Sequence, residues 1–121
     1  MGILSSYTES EQQRMKAFAC RLVEGRLCTG VLSMNEVKAA MPRAFREAIP
    51  VVLTLDERMS KLTHYEQASQ VLIRQIAMQL IEGQLIDGKI ADEEEAVKAA
   101  TRQAVEDARQ AVVAVEEYLC G

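Results

Sequence analysis

The chain repeats itself, and no other feature limits its possible folds as much. At an offset of 58 residues, Gln12 aligns with Gln70, Ala19 with Ala77, Leu22 with Leu80 and Glu24 with Glu82. The same offset pairs Gly25 with Gly83, Leu27 with Leu85 and Gly30 with Gly88. Apolar character carries across at Met15/Ile73, Phe18/Ile76, Val23/Ile81 and Leu32/Ile90. Beyond the glycine-rich stretch the offset becomes 60, and Val37-Lys38-Ala39-Ala40 matches Val97-Lys98-Ala99-Ala100, followed by Ala44/Ala104 and Ala48/Ala108. Self-similarity at a fixed period marks a supersecondary unit that cannot bury its apolar face alone and needs its copy to do so. The shared unit reads as helix, glycine-bounded loop, capping box, helix. Two such units predict a pseudo-twofold pair of helical hairpins around one core. Both glycines of each loop are expected to take backbone angles that other residues avoid.

Local signals place the helices. Thr8-Glu9-Ser10-Glu11 and Ser33-Met34-Asn35-Glu36 both have the form in which a cap hydroxyl and a third-residue carboxylate satisfy each other's backbone donors. Met15, Phe18, Ala19, Leu22 and Val23 follow the first box at amphipathic helical spacing. Pro42 is expected to end or kink the second helix near Met41, and Pro50 to close the first unit. Thr54-Leu55-Asp56-Glu57 then caps a short connecting helix, and Thr63-His64-Tyr65-Glu66 a longer one over residues 65–83 that is apolar round most of its girth. Asp92-Glu93-Glu94-Glu95 opens a last helix with an acidic first turn that suits the helix dipole. The expectation is one all-α domain over 1–121, a small helical bundle of five to six helices. Unit one spans 8–49, a connecting helix 51–63 and unit two 65–119, ending in a long C-terminal helix.

Composition supports that class. Aromatic residues are 4% of the chain with no Trp, while the hydrophobic share is 49%. A core of Ala, Leu, Ile, Val and Met suits close-packed helices better than a sandwich of strands. Three cysteines without a secretory signal point to a reduced, cytoplasmic setting, and no apolar run approaches the length of a membrane span. The net charge of −4 is unevenly placed: residues 1–64 carry nine basic against seven acidic side chains, and residues 65–121 five against eleven. The asymmetry is read first as two solvated helix faces, and as the alternative oppositely charged faces meet, within the molecule or between copies.

The sites of interest divide by chemistry. In the last helix Val97, Thr101, Ala104, Ala108, Ala111, Val115 and Tyr118 alternate steps of four and three, a heptad seam of small residues that invites a tight neighbour from this chain or a second copy. Val105, Val112 and Leu119 make a second apolar line, so this helix is expected to touch two others. The two lines are the predicted contact with a protein partner, and the chain is read as a non-catalytic interaction module, adaptor-, chaperone- or inhibitor-like, working as a homodimer. The alternative is a helix–turn–helix regulator reading DNA through Lys38, Arg43 and Arg46. A single His64 at a helix start and scattered serines nominate no catalytic set, and no cofactor is expected. Residues 83–94 echo a calcium loop, with Gly88 sixth and Glu94 twelfth, but Gly83 and Leu85 stand where oxygen ligands are required. The loop is therefore read as a structural turn that caps two helices; over residues 87–94, Asp87-Gly88-Lys89-Ile90 through Glu94 also resembles the D-G-x-[IV]-x-x-x-E turn of TerB-like helical domains, a match too short to imply a function. Cys20 is read as core and Cys28 as a small apolar contact, and Cys120 as a thiol at the chain end that could cross-link copies under oxidation. Met1 to Ser6 match the pattern for N-myristoylation at Gly2.

Overall fold

A computed structural model describes residues 2–121. It contains four α-helices, α1 (Glu9–Cys28), α2 (Val37–Met59), α3 (Gln67–Ile86) and α4 (Glu94–Cys120), with a 3-10 turn, Met34–Glu36, ahead of α2 and no strand among the described residues. The fold class is the expected all-helical one, with fewer helices than the five to six expected. No helix among the described residues is long and apolar enough to cross a membrane.

The repeat is visible in the backbone. α1 and α3 are both 20 residues long, and each begins and ends 58 residues from its counterpart. Gln12 Nε2 donates to the Tyr7 carbonyl at 2.8 Å and Gln70 Nε2 to the Tyr65 carbonyl at 2.7 Å, so the copies also enter their helices alike. At the far ends Gly30 and Gly88 take φ of 79° and 70° and donate to the carbonyls of Leu27 and Leu85. Only glycine enters that left-handed region without steric cost, which is why these two positions stop the helices. Gly25 and Gly83 do not share this role. Both lie within helices, and the expectation of unusual angles there is corrected.

Both capping boxes form. Thr8 Oγ1 accepts from the Glu11 amide at 3.1 Å while Glu11 Oε1 accepts from the Thr8 amide at 2.9 Å. The Ser33 box opens the 3-10 turn, which runs directly into α2. α2 then continues through Pro42 and Pro50 to Met59, so the expected break at Met41 and the separate helix at 51–63 do not occur. Thr54, expected as a cap, is buried in the middle of α2. The packing explains the continuity. Ala44, Ala48, Val51, Val52, Leu55 and Met59 hold helical spacing across Pro50 and are all buried, so a stop at Pro50 would strip the last four of them from the core. α3 starts at Gln67 rather than 65, and α4 at Glu94 with the expected acidic first turn of Glu94 and Glu95.

Two antiparallel hairpins result, α1 with α2 and α3 with α4, joined mainly where α2 packs on α4. The core draws on all four helices, from Phe18 and Leu22 through Val51 and Leu55 to Ile73, Ile81, Ala104 and Ala108. α1 and α3 lie side by side in the same direction. Arg21 Nε meets Glu82 Oε2 at 2.8 Å, and further along the side chain of Ile86 sits over Gly25. Glu47, 2% exposed, receives the Arg26 guanidinium at 2.8 and 3.0 Å, and the same guanidinium reaches the Leu85 carbonyl at 3.4 Å. This buried pair ties the ends of α1 and α3 to α2. The cost of burying both charges is offset only because each is paired and hydrogen-bonded.

Candidate interaction surface

α4 carries the residues singled out as partner contacts, and the structure divides them. Val97, Thr101, Ala104 and Ala108 are buried in the chain's own core. The small-residue seam therefore has its tight neighbour inside the molecule, where α4 packs on α2. Val105 and Val112 are also core. As partner contacts these residues are corrected: a folded chain has no free face there. What remains is the far end of the same two lines. Ala111 is exposed, Val115 is 59% exposed, Tyr118 85% and Leu119 77%.

The reason lies in how the copies diverge. At an offset of 60, Val115 and Leu119 correspond to Leu55 and Met59, which are buried in α2. α4, at 27 residues, outlasts α2 at 23 and runs on past the start of α3. The last ties are polar. Ser69 Oγ donates to Glu116 Oε1 at 3.0 Å, and Arg109 Nη1 reaches the Tyr65 hydroxyl at 3.2 Å. Hydrogen bonds from Arg109, then from Gln110, hold the Glu106 carboxyl at about 2, so its pair with Arg109 within α4 persists well into acid. Beyond Glu116 the helix presents an apolar tip, with Glu117 exposed between Val115 and Leu119.

A second apolar surface went unread in the sequence. Ile3, Met41, Pro42, Phe45 and Ile49 line a groove of about 550 Å³ on the outer side of α2, with Arg46 at its edge. Lys38, Arg43 and Arg46, named above for DNA, are exposed on this same helix. Arg43 leans toward Glu47 at 3.5 Å and Arg46 toward Asp92 at 3.3 Å. A signal existed: Met41, Phe45 and Ile49 stand four apart, but the expected break at Pro42 hid their common face.

The remaining candidates resolve simply. His64 is exposed and packs at a tilt against Tyr65, with ring centroids 4.4 Å apart. All three cysteines are exposed, which corrects the core reading of Cys20 and the contact reading of Cys28. In the calcium-like loop Asp92 pairs with Arg46 and Glu94 with Lys98, and no group of three His, Cys, Asp or Glu close enough to hold a metal exists among the described residues. Gly2 is exposed with nothing within 4 Å of a Cβ placed there; Met1 of the acylation pattern lies outside the described residues. The chain matches no protein-family model, no curated protein and no solved structure.

Proposed function

We propose that this chain is a non-catalytic helical interaction module that works as a homodimer, with the tip of α4 from one copy seated in the Met41–Ile49 groove of the other. The reading is carried by Val115, Tyr118 and Leu119, which stand exposed around and beyond the last internal tie of α4 at Glu116. Large apolar side chains grouped at a helix end lower their free energy by leaving water, and an amphipathic helix in an apolar groove is a recurrent way to do so. Charge supports the pairing. Glu116 and Glu117 sit on the tip, Arg46 lines the groove, and Lys38 and Arg43 are exposed on the same helix. Reciprocal exchange of two tips closes the assembly with both grooves filled, whereas one-way insertion would propagate into filaments. The helix–turn–helix alternative needs Lys38, Arg43 and Arg46 on a recognition helix set steeply against its neighbour. Here α1 and α2 lie antiparallel, joined near both ends by Arg14–Asp56 and Arg26–Glu47.

Light scattering on the purified chain tests the proposal. The expected mass is twice 13.4 kDa. Leu119→Glu is expected to yield monomer with an unchanged circular dichroism spectrum, because Leu119 contributes nothing to the core. Glu117→Arg should weaken the dimer, and adding Arg46→Glu should restore it. A monomer at all concentrations, or a dimer indifferent to Leu119→Glu, would remove the reading.

A further inference from the structure

At the end of the molecule where α1 and α3 begin and α2 stops, a cleft of about 620 Å³ opens, lined by Arg14, Asp56, Thr63, Gln67, Arg74 and Gln75 among others. Arg74 Nη1 lies 3.1 Å from Asp56 Oδ1, and Arg14 Nη1 bonds that same oxygen. Two guanidiniums thus share one carboxylate oxygen. Each spends one of its five N–H donors on it, and the side chains keep 37% and 35% of their surface accessible. The cleft carries one positive charge more than its internal carboxylate neutralises. Two guanidiniums that converge on one carboxylate oxygen leave most of their N–H donors free for a further anion.

The repeated packing does not require this trio. At the offsets of the repeat, Leu72 stands where Arg14 does and Glu116 where Asp56 does, and Glu116 bonds Ser69 instead. Lys16 stands where Arg74 does, so the repeat-related position has one basic side chain and not two, and Arg14 is the addition to the shared scaffold.

We infer that this cleft binds a small molecule presenting an oxoanion, a phosphoryl or carboxylate group, gripped between Arg14 and Arg74. Guanidinium forks match the oxygens of both groups two at a time, and charge-assisted bonds of this kind are the strong ones. The Thr63 hydroxyl and the Gln67 and Gln75 amides supply neutral donors and acceptors in the same cleft, and Met59 and Val71 give an apolar wall for the rest of the molecule. Asp56 holds the two forks in place and competes with the ligand for them. The inference does not depend on the dimer.

The full-length chain is titrated with inorganic phosphate and, separately, with citrate, in matched chloride, following amide and arginine side-chain NMR signals. Saturable shifts centred on Arg14 and Arg74 are expected. Tighter phosphate binding assigns a phosphoryl ligand and tighter citrate binding a carboxylate. Arg14→Gln and Arg74→Gln should each weaken binding at least about tenfold. Asp56→Asn should tighten it by freeing both forks, on top of saturable binding already present in the wild-type chain. Shifts that never saturate, binding unchanged in both arginine variants, or an Asp56→Asn variant that loses binding like the arginine variants would overturn the inference. The amide spectrum of each variant reports independently that it is folded.

Discussion

Gly25 and Gly83 occupy matching places in the repeat, yet one is constrained and the other is not. A Cβ on Gly25 would stand 2.1 Å from Ile86 Cδ1 and 3.0 Å from its Cγ1, whereas a Cβ on Gly83 meets nothing within 4 Å. Both glycines are helical, where glycine costs about 0.5–1 kcal/mol relative to alanine. Gly83→Ala is therefore expected to stabilise the chain by about that amount. Gly25→Ala gains the same propensity but forces Ile86 aside, and overpacking costs about 1–3 kcal/mol, so a net loss is expected. In an Ile86→Val background, which lacks the δ carbon, most of that loss should vanish. Urea midpoints of the four proteins check the cycle, and a gain in Gly25→Ala equal to that in Gly83→Ala would show that Ile86 does not constrain the site. The alignment shows that these glycines correspond but not that only one of them lies under a neighbour. The same limit hid Glu47. A lone glutamate among apolar residues reads as surface until Arg26, 21 positions away in sequence, is seen to meet it. By contrast Gly30 and Gly88 were legible, because a glycine just past an amphipathic stripe has a local reason to be there.

Among the helices, α1, α3 and α4 followed from periodicity and caps, and α2 did not. The error has a single cause. Proline lacks the N–H that would reach back four residues, so Pro42 and Pro50 each read locally as a stop. That penalty is about 3 kcal/mol at each proline, and the apolar stripe of α2 outweighs it because Val51, Val52, Leu55 and Met59 each contribute about 1.5–3 kcal/mol and Ala44 and Ala48 add to them. The stripe from Ala44 to Met59 was in the sequence throughout, and weighing its length against one lost hydrogen bond would have kept the helix whole. Pro42 is the cleaner site to test, being exposed where Pro50 is buried. Pro42→Ala restores a donor to the Lys38 carbonyl and relieves the ring's clash with it. It also gives back some disorder to the unfolded chain, so a net gain of about 2 kcal/mol is expected. The gain should appear as a higher urea midpoint with an unchanged slope. A lower midpoint would mean that the groove side of α2 needs the ring for packing.

The arrangement of charge shows at the scale of the whole molecule what one hairpin needs from the other. Arg21 meets Glu82, and Arg46 meets Asp92, so the basic first half and the acidic second half bond across their boundary. The sequence allowed such contacts within or between copies, and distance in three dimensions decides that at least these two are internal. Burial gives the stronger argument. α3 turns a narrow line inward, Ser69, Ile73, Ala77, Ile81 and Leu85, each four residues from the last. α4 is covered from two sides, by α3 and by α2. Without the first hairpin, Val97, Ala104 and Ala108 would lose α2 and face water. A chain near 60 residues buries a smaller fraction of its surface than a full domain does and is marginal even when its faces are complete. Fragments 1–63 and 64–121, cut in the link between α2 and α3, are therefore each expected to lack a cooperative thermal transition. Mixed in equal amounts they should recover the helical signal and a single transition, because the core cluster draws on all four helices. Recovery should weaken only modestly with salt, since exposed ion pairs contribute about 0–1 kcal/mol each while the apolar interface carries the rest. Fragment 64–121 melting cooperatively as a monomer would show that one hairpin is a complete folding unit, and the shared core would then be a consequence of folding and not its cause.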